Sequence, residues 1–534
     1  MSRYERFSEE KELNKNFPLA GKGVSGLPVY YDKKRQLHCD PGPAHALITA
    51  TTGYGKTYGV SLSAIMRCIE ATESFVVIDS KKDALRHTFN AVPENYQKFV
   101  FDFSKPAESP DKWNPLELIR VQLTSSDITE QDLGYENLNA FTVGLPDKDK
   151  DSFWPNSSTE LLTGTAEALI ESSNDPREVH MGSICRILRD GNERFGGNIL
   201  LKSFYDSLSD DSLAKQHLGT FVNAPNDTRN SIYAVTSTAL SVFTRSRGLL
   251  QMISQDTIDI AHLDNSESPV AIYICLPDEN NVHAKLAGCL IQQLSQQFIK
   301  LARSQPDGKL KNRISFILEE LGSIGGSIPN LANLMTAGRS RGIRMVLILQ
   351  SLSQLDAIYG ESAEAIKNCI GITYSFSNNN LDTLKEFSEK CGYCNDKDLL
   401  ITPTQLSAMP PLQCLVILYN RYKFISKFEF FTDVYKVEEY TPSGQEREKI
   451  EKAVNSIKYF NIKEYVKKAR ERAQVEAIRK NNELNPFAQP HSLPSSCPSD
   501  PIMPDDIDIE ELVKKIDEEI AKREREIESE RNDE

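Results

Sequence analysis

No stretch of this 534-residue chain approaches the roughly 18–20 consecutive apolar residues that cross a bilayer; the longest apolar runs, Val270–Leu276 and Met345–Leu349, are strand-length. The opening Met1-Ser-Arg-Tyr-Glu-Arg6 lacks the apolar core of a secretory signal. Cysteine is sparse, ten residues without framework spacing, which excludes a disulfide scaffold and fits a reducing cytosol. The eight histidines form no HExxH or similar ligand pattern, and Cys391-Gly-Tyr-Cys394 has no second CxxC, so a zinc site is not expected. Positive charge is in deficit, 62 Lys and Arg against 76 Asp and Glu, which argues against a protein that coats nucleic acid non-specifically while leaving room for a local basic channel.

What remains is a composition of 39% hydrophobic and 26% charged residues, enough for a sizeable core and too long for one compact domain. Residues 1–41 are polar, with little periodicity. From His45 short apolar runs alternate with amphipathic segments. His45–Thr49, Phe75–Ile78, Phe99–Phe103, Val270–Leu276, Ile314–Leu318, Ile343–Leu349, Ile370–Phe376 and Cys414–Tyr419 read as strands. Their near-continuous apolar character suits a parallel sheet covered on both faces, and the helical patterns between them suit βαβ units. The fold expected is therefore α/β with a mainly parallel sheet. Residues 122–264 contain almost no strand pattern but have helical periodicity at Ser158–Ser172, His180–Arg189 and Asp227–Ser246. They read as an all-α domain inserted between the two parts, 42–121 and 265–435, of a nucleotide-binding domain. Beyond it lie a charged helical extension (436–481), a Pro/Ser linker (482–504) and an acidic helix (505–534) with Ile509, Leu512, Ile516, Ile520 and Ile527 on one side. From Pro501 onward there are 14 acidic and 6 basic residues, so this tail carries −8 of the net −14.

The chemistry is concentrated in three short stretches. Ala50-Thr-Thr-Gly-Tyr-Gly-Lys-Thr57 follows a strand and precedes a helical segment, the setting of a phosphate-binding loop. Thr52, Gly53, Tyr54, Gly55, Lys56 and Thr57 are the expected nucleotide-binding residues. Glycines allow backbone N–H groups to turn toward phosphate, the helix N-terminus adds partial positive charge, Lys56 reaches the β/γ-phosphates and the Thr57 hydroxyl ligates Mg²⁺. Ala50 stands where the pattern has its first glycine. The second stretch, Ile314-Ser-Phe-Ile-Leu-Glu-Glu320, places two carboxylates just past a buried strand. Glu319 is expected in the magnesium shell and Glu320 as the base that polarises the attacking water. The third runs from Pro329 through Arg339-Ser-Arg341 and a strand to Gln350. Its spacing leaves open whether Gln350 senses a γ-phosphate and Arg339 reaches a neighbour's nucleotide, or whether both are ordinary surface residues.

The segments HALITATTGYGKT, FVVIDSKKD, KWNPLELI and above all Ile317–Gly360 (ILEELGSIGGSIPNL…AGRSRGIRMVLILQSLSQLDAIYG) resemble the TraG/TraD-type coupling proteins of conjugative type IV secretion, members of the FtsK/HerA superfamily of ring-forming ATPases. The resemblance covers about residues 40–435. It implies a RecA-like P-loop ATPase using ATP and Mg²⁺, with Arg339 acting in trans, Gln350 coupling neighbouring sites, and a homohexameric ring. It further implies partners: relaxase-bound single-stranded DNA or protein cargo, and the components of the secretion channel. Many relatives begin with transmembrane helices. The expectation here is a bacterial cytoplasmic protein held peripherally at the inner face of the cell membrane by a separate anchor. The sequence departs from the family at Ala50, at Glu319 where aspartate is usual, and at Asp79-Ser-Lys-Lys82 where Asp-Pro-Lys-Gly is usual. Two other functions stay open: a soluble DNA translocase of the same superfamily, and a nucleotide-binding cargo receptor that barely hydrolyses. A purely protein-exporting adaptor is a further reading.

Overall fold

A computed structural model describes residues 5–146, 151–195, 197–277, 281–322, 327–441 and 457–484. The expected acidic helix at 507–530 and nearly all of the 482–504 linker lie outside the described residues.

The strands are β1 (Leu27–Tyr31), β2 (Leu37–Asp40), β3 (His45–Thr49), β4 (Ser74–Asp79), β5 (Gln97–Asp102), β6 (Arg194–Phe195), β7 (Asn198–Ile199), β8 (Val270–Cys275), β9 (Ile314–Leu318), β10 (Ile343–Leu349), β11 (Ile370–Ser375), β12 (Gln413–Leu418) and β13 (Tyr422–Lys427). Nine of them form one sheet in the order β13-β12-β11-β3-β10-β9-β4-β8-β5. The seven from β11 to β5 are parallel; β12 and β13 add on antiparallel. The fold is α/β, with one strand (β10) between the loop-bearing β3 and the acid-bearing β9. Seven of the eight strands expected from the sequence are parallel. Cys414–Tyr419 is not: it pairs antiparallel with β11 and is followed by β13, whose partly polar YKFISK carries no continuous apolar run.

The apolar runs follow from burial on both faces. β3, β4, β8, β9 and β10 are buried at every residue. One face packs against the helix Leu62–Glu70 and, through Phe17, Leu27, Val29 and Phe431, against the N-terminal segment and the chain after β13. The other packs on Asn281–Ser304 and on the long helical region between β5 and β8. The polar look of residues 5–41 therefore hides structure. This segment forms the helix Glu10–Asn16 and the β1–β2 hairpin, and Leu13, Phe17, Leu27, Val29 and Leu37 within it are buried.

Between β5 and β8 the chain is helical apart from the two-residue strands β6 and β7. Its longest helix, Phe153–Ser172, packs against Leu213–Val222; a Cβ on Gly164 would lie 2.9 Å from Leu218 N, so only glycine permits this approach. The Lys-Trp-Asn-Pro-Leu motif fastens this region to the sheet. Asn114 caps the helix Pro115–Leu123 by accepting from Leu116 N (3.1 Å), and its amide donates to Val179 O (2.7 Å). Trp113 is buried and donates from Nε1 to Gln293 Oε1 (3.1 Å). After the sheet, Ile462–Leu484 is a charged helix lying against Met181–Gly191 and Leu200–Asp206. Among the described residues no helix is long and apolar enough to cross a membrane.

Candidate nucleotide site

In a parallel sheet the loops after the strands gather at one edge, and that edge is where ligands bind. Here the loops after β3, β9 and β10 meet because those strands are neighbours in register: Leu349 pairs with Thr49, and Leu347 with Leu318.

The loop after β3 is held by backbone bonds from Ala50 N to Leu349 O (3.2 Å) and from Thr51 N to Ser377 O (3.0 Å). Gly53 and Gly55 have φ of 89° and 95°, the left-handed region that other side chains avoid. A Cβ on Gly55 would also come within 2.6 Å of Leu412 Cδ2, and Leu412 N in turn donates to Tyr54 O (3.1 Å). Ala50 is wholly buried, so its methyl packs inward. Thr52 and Gly53 are exposed, while Tyr54, Gly55 and Thr57 are half-buried. The helix begins at Lys56 with a wide π-type turn over Lys56–Ser61 before the regular Leu62–Glu70.

Lys56 is buried and its ammonium is ion-paired with Glu320 Oε1; the other oxygen, Oε2, accepts from Gln350 Nε2 at 3.3 Å. Three expected residues from three strand ends are thus in direct contact. Glu320 has φ 51°, an unfavourable left-handed conformation for a glutamate, and the turn that requires it aims the carboxylate at the loop. Gln350 is itself fixed: its N–H donates to Gln354 Oε1 (2.8 Å) and its carbonyl accepts from Asn378 Nδ2.

Glu319 faces the interior. It is buried, and burial pushes its carboxyl up to about 8, with the like charge of Asp79 adding to the rise. Asp79 ends β4, paired beside β9 with Ile78 opposite Leu318, so the two acids follow at adjacent strand ends. Burial raises Asp79 to about 6, although its Oδ2 accepts from Leu85 N at 2.8 Å. Asp79 Oδ1 and Glu319 Oε1 are buried with no hydrogen-bond partner among the described residues. Two partly unsatisfied carboxylates next to a phosphate-type loop fit a divalent cation, which would satisfy their open oxygens. Sequence reasoning quoted Asp79 only as a family departure; its role here needed the strand order. Gln354 and Asn378 were also missed, and nothing local marks them.

Arg339 is not part of this cluster. It is exposed at the end of the helix Leu331–Arg339, four residues before β10 starts. The same helix lies by the start of β3, where His45 Nε2 bonds Met335 O at 2.8 Å. Arg339 is therefore at the opposite edge of the sheet from its own loop, about 20 Å away along a seven-residue strand.

The model of the family described as type IV secretory system conjugative DNA transfer matches residues 6–398. The conjugal transfer protein TraG of Rhizobium radiobacter is 25% identical over 360 residues, covering 66% of this chain and 52% of that protein. A probable TraG of Sinorhizobium fredii is 26% identical over 246 residues, 46% of this chain and 37% of its own length. The chain thus spans about half or less of these relatives. Among solved structures, the plasmid coupling protein TrwB in complex with the non-hydrolysable ATP analogue ADPNP superposes with TM-score 0.62 at 17% identity, over 83% of this chain and 96% of that one. TrwB in complex with ADP and Mg²⁺ gives 0.55 at 16% identity, over 80% and 94%. These share the RecA-like P-loop fold. With three quarters of its length matched by the family model, the chain belongs to the conjugative DNA transfer family of type IV secretion, the TraG/TraD-type coupling proteins.

Proposed function

We propose that this chain binds ATP with Mg²⁺ at the loop 52–57 and hydrolyses it to drive transfer of conjugative cargo, a relaxase-bound single DNA strand or a protein. The observation that carries the reading is the convergence of Lys56, Glu320 and Gln350 at adjoining strand ends. Loop N–H groups and Lys56 bind the phosphates. Thr57, Glu319 and, through its free oxygen, Asp79 are the residues that would hold Mg²⁺, which when bound screens phosphate charge. Glu320, once nucleotide draws Lys56 away, is free to take a proton from water, with Gln350 holding its other oxygen. Arg339, on the far edge, can serve only another subunit's nucleotide, which supports a ring, read as a homohexamer, with sites between subunits. Structures of TrwB with ADPNP and with ADP and Mg²⁺ support the choice of nucleotide. Channel components and a separate membrane anchor at the cytoplasmic face complete the proposal.

Steady-state ATP hydrolysis, with and without single-stranded DNA, tests it. DNA-stimulated turnover that falls at least about 100-fold in Lys56→Ala is expected. Tight ATP binding without turnover under any condition would overturn the motor and favour the nucleotide-binding receptor.

A further inference from the structure

A second cleft lies away from the nucleotide site. A cavity of about 810 Å³ opens in the helical region between Met181–Gly191, Asn226–Ala239 and Arg247–Met252, and the segment 457–459 closes one side. Arg186, Arg189 and Arg247 line it, and among the described residues no aspartate or glutamate does. That is an unexpected composition for a chain of net charge −14. Arg186 lies flat over the Tyr459 ring, 3.4 Å from its centroid, so its guanidinium is held in place before any ligand arrives. Arg189 donates to the neighbouring Asp190 at 2.8 Å; Arg186 and Arg247 have no ion pair among the described residues. The rest of the lining mixes apolar side chains, Leu188, Leu240, Leu250 and Ile457, with small polar ones such as Thr236 and Ser237. A ligand matching this cleft carries several negative charges beside an apolar face.

The chain itself contains such a ligand. Residues 505–534 hold the acidic excess, with Ile509, Leu512, Ile516 and Ile520 spaced for one side of a helix. The connection is also short enough. Tyr459, in the cleft wall, directly precedes the helix Ile462–Leu484, which shares Met181–Gly191 with the cleft as a packing partner. That helix is about 35 Å long, and the twenty residues from 485 to 504 reach about 70 Å when extended, so the acidic segment can return along the helix. A tether of this kind holds its ligand at an effective concentration in the millimolar range, where even weak docking is well populated. Single-stranded DNA fits less well, because the Tyr459 face that a base would use is covered by Arg186.

We propose that this arginine-lined cleft is the docking site of the chain's own acidic C-terminal segment, residues 505–534. The segment then occupies a recognition surface of the helical region until an acidic partner of higher affinity displaces it. The proposal does not depend on nucleotide chemistry.

Amide hydrogen exchange on the full-length chain tests it. In the native protein, exchange across 505–534 is expected to be slowed, and to speed up at least about tenfold in Arg247→Glu and again at about 0.5 M salt, where ion pairs are screened. Arg186→Glu is expected to do the same. Because Arg186 also packs on Tyr459, Arg247→Glu is the decisive variant, and an unchanged melting temperature shows that it folds. Exchange of 505–534 that is fast in the native chain, or slow but indifferent to Arg247→Glu, overturns the proposal. Arginine-dependent binding of an oligothymidylate of about twenty nucleotides to a chain whose segment is never protected also overturns it, and assigns the cleft to nucleic acid.

Discussion

The strand-end cluster and the helical region between β5 and β8 handle polar groups in opposite ways. At the strand ends, carboxylates are buried, partly unsatisfied and raised in pKa, and Glu320 sits in a left-handed conformation. In the helical region most charges are exposed or locally paired, as in Arg177–Asp175 and Lys202–Asp206, and an exception, Glu167, which is buried and raised in pKa by burial, keeps one oxygen on His217. The cleft between Met181–Gly191, Asn226–Ala239 and Arg247–Met252 is lined by exposed arginines. The first arrangement costs stability and persists because the surrounding sheet over-determines it. The second costs little and leaves side chains available to partners. On the function and the docking site proposed above, the difference separates a reacting site from a recognition surface.

The comparison is sharpened most by Glu320→Gln. If Glu320 takes the proton from water, turnover drops by about 10²–10⁴-fold while nucleotide affinity holds or rises, because Lys56 is released from its ion pair. Turnover within about threefold of native would remove the special status of the strand ends.

Glu319→Gln gives a smaller effect, read as stability against pH. A buried acid raised to about 8 keeps its proton in the folded state over a range where the unfolded chain has lost it. The unfolded chain then binds fewer protons, so nucleotide-free stability falls as pH rises from about 4.5 toward 8. Each pKa unit corresponds to about 1.4 kcal/mol. Thermal melts of Glu319→Gln in the absence of Mg²⁺ should lose much of this slope and lie above native at pH 8. A native melting temperature flat from pH 5 to 8 would contradict the buried-acid account.

The smallest effect belongs to the helical region. Gly164→Ala pushes a methyl against Leu218 and His217 and should cost about 1–3 kcal/mol of stability, with fluorescent-nucleotide affinity unchanged. A parallel loss of nucleotide binding would show that the two regions are coupled rather than contrasting.

Much of this was legible beforehand. The apolar strands announce themselves because burial on both faces leaves no room for polar residues, and Gly53, Gly55 and Lys56 because a phosphate loop tolerates few alternatives. β13 was not legible, since an edge strand carries polar side chains such as Lys423 and Lys427. Nor were β1 and β2, whose apolar residues are too few to show a period. The pairing of Asp79 with Glu319 joins residues 240 positions apart, and no local pattern encodes that.

The sequence by itself determined the eight apolar strands of the sheet from β3 to β12, the position of the glycine-rich loop after β3 and which two carboxylates follow β9, because each depends on side chains within a few residues of one another. The tertiary structure alone decided that β4 and β10 flank β9, that Asp79 therefore joins Glu319, that Arg339 lies on the far edge from its own loop, and that three arginines line one cleft. Those outcomes depend on the order in which strands and helices pack, which is set by the summed burial of the whole core.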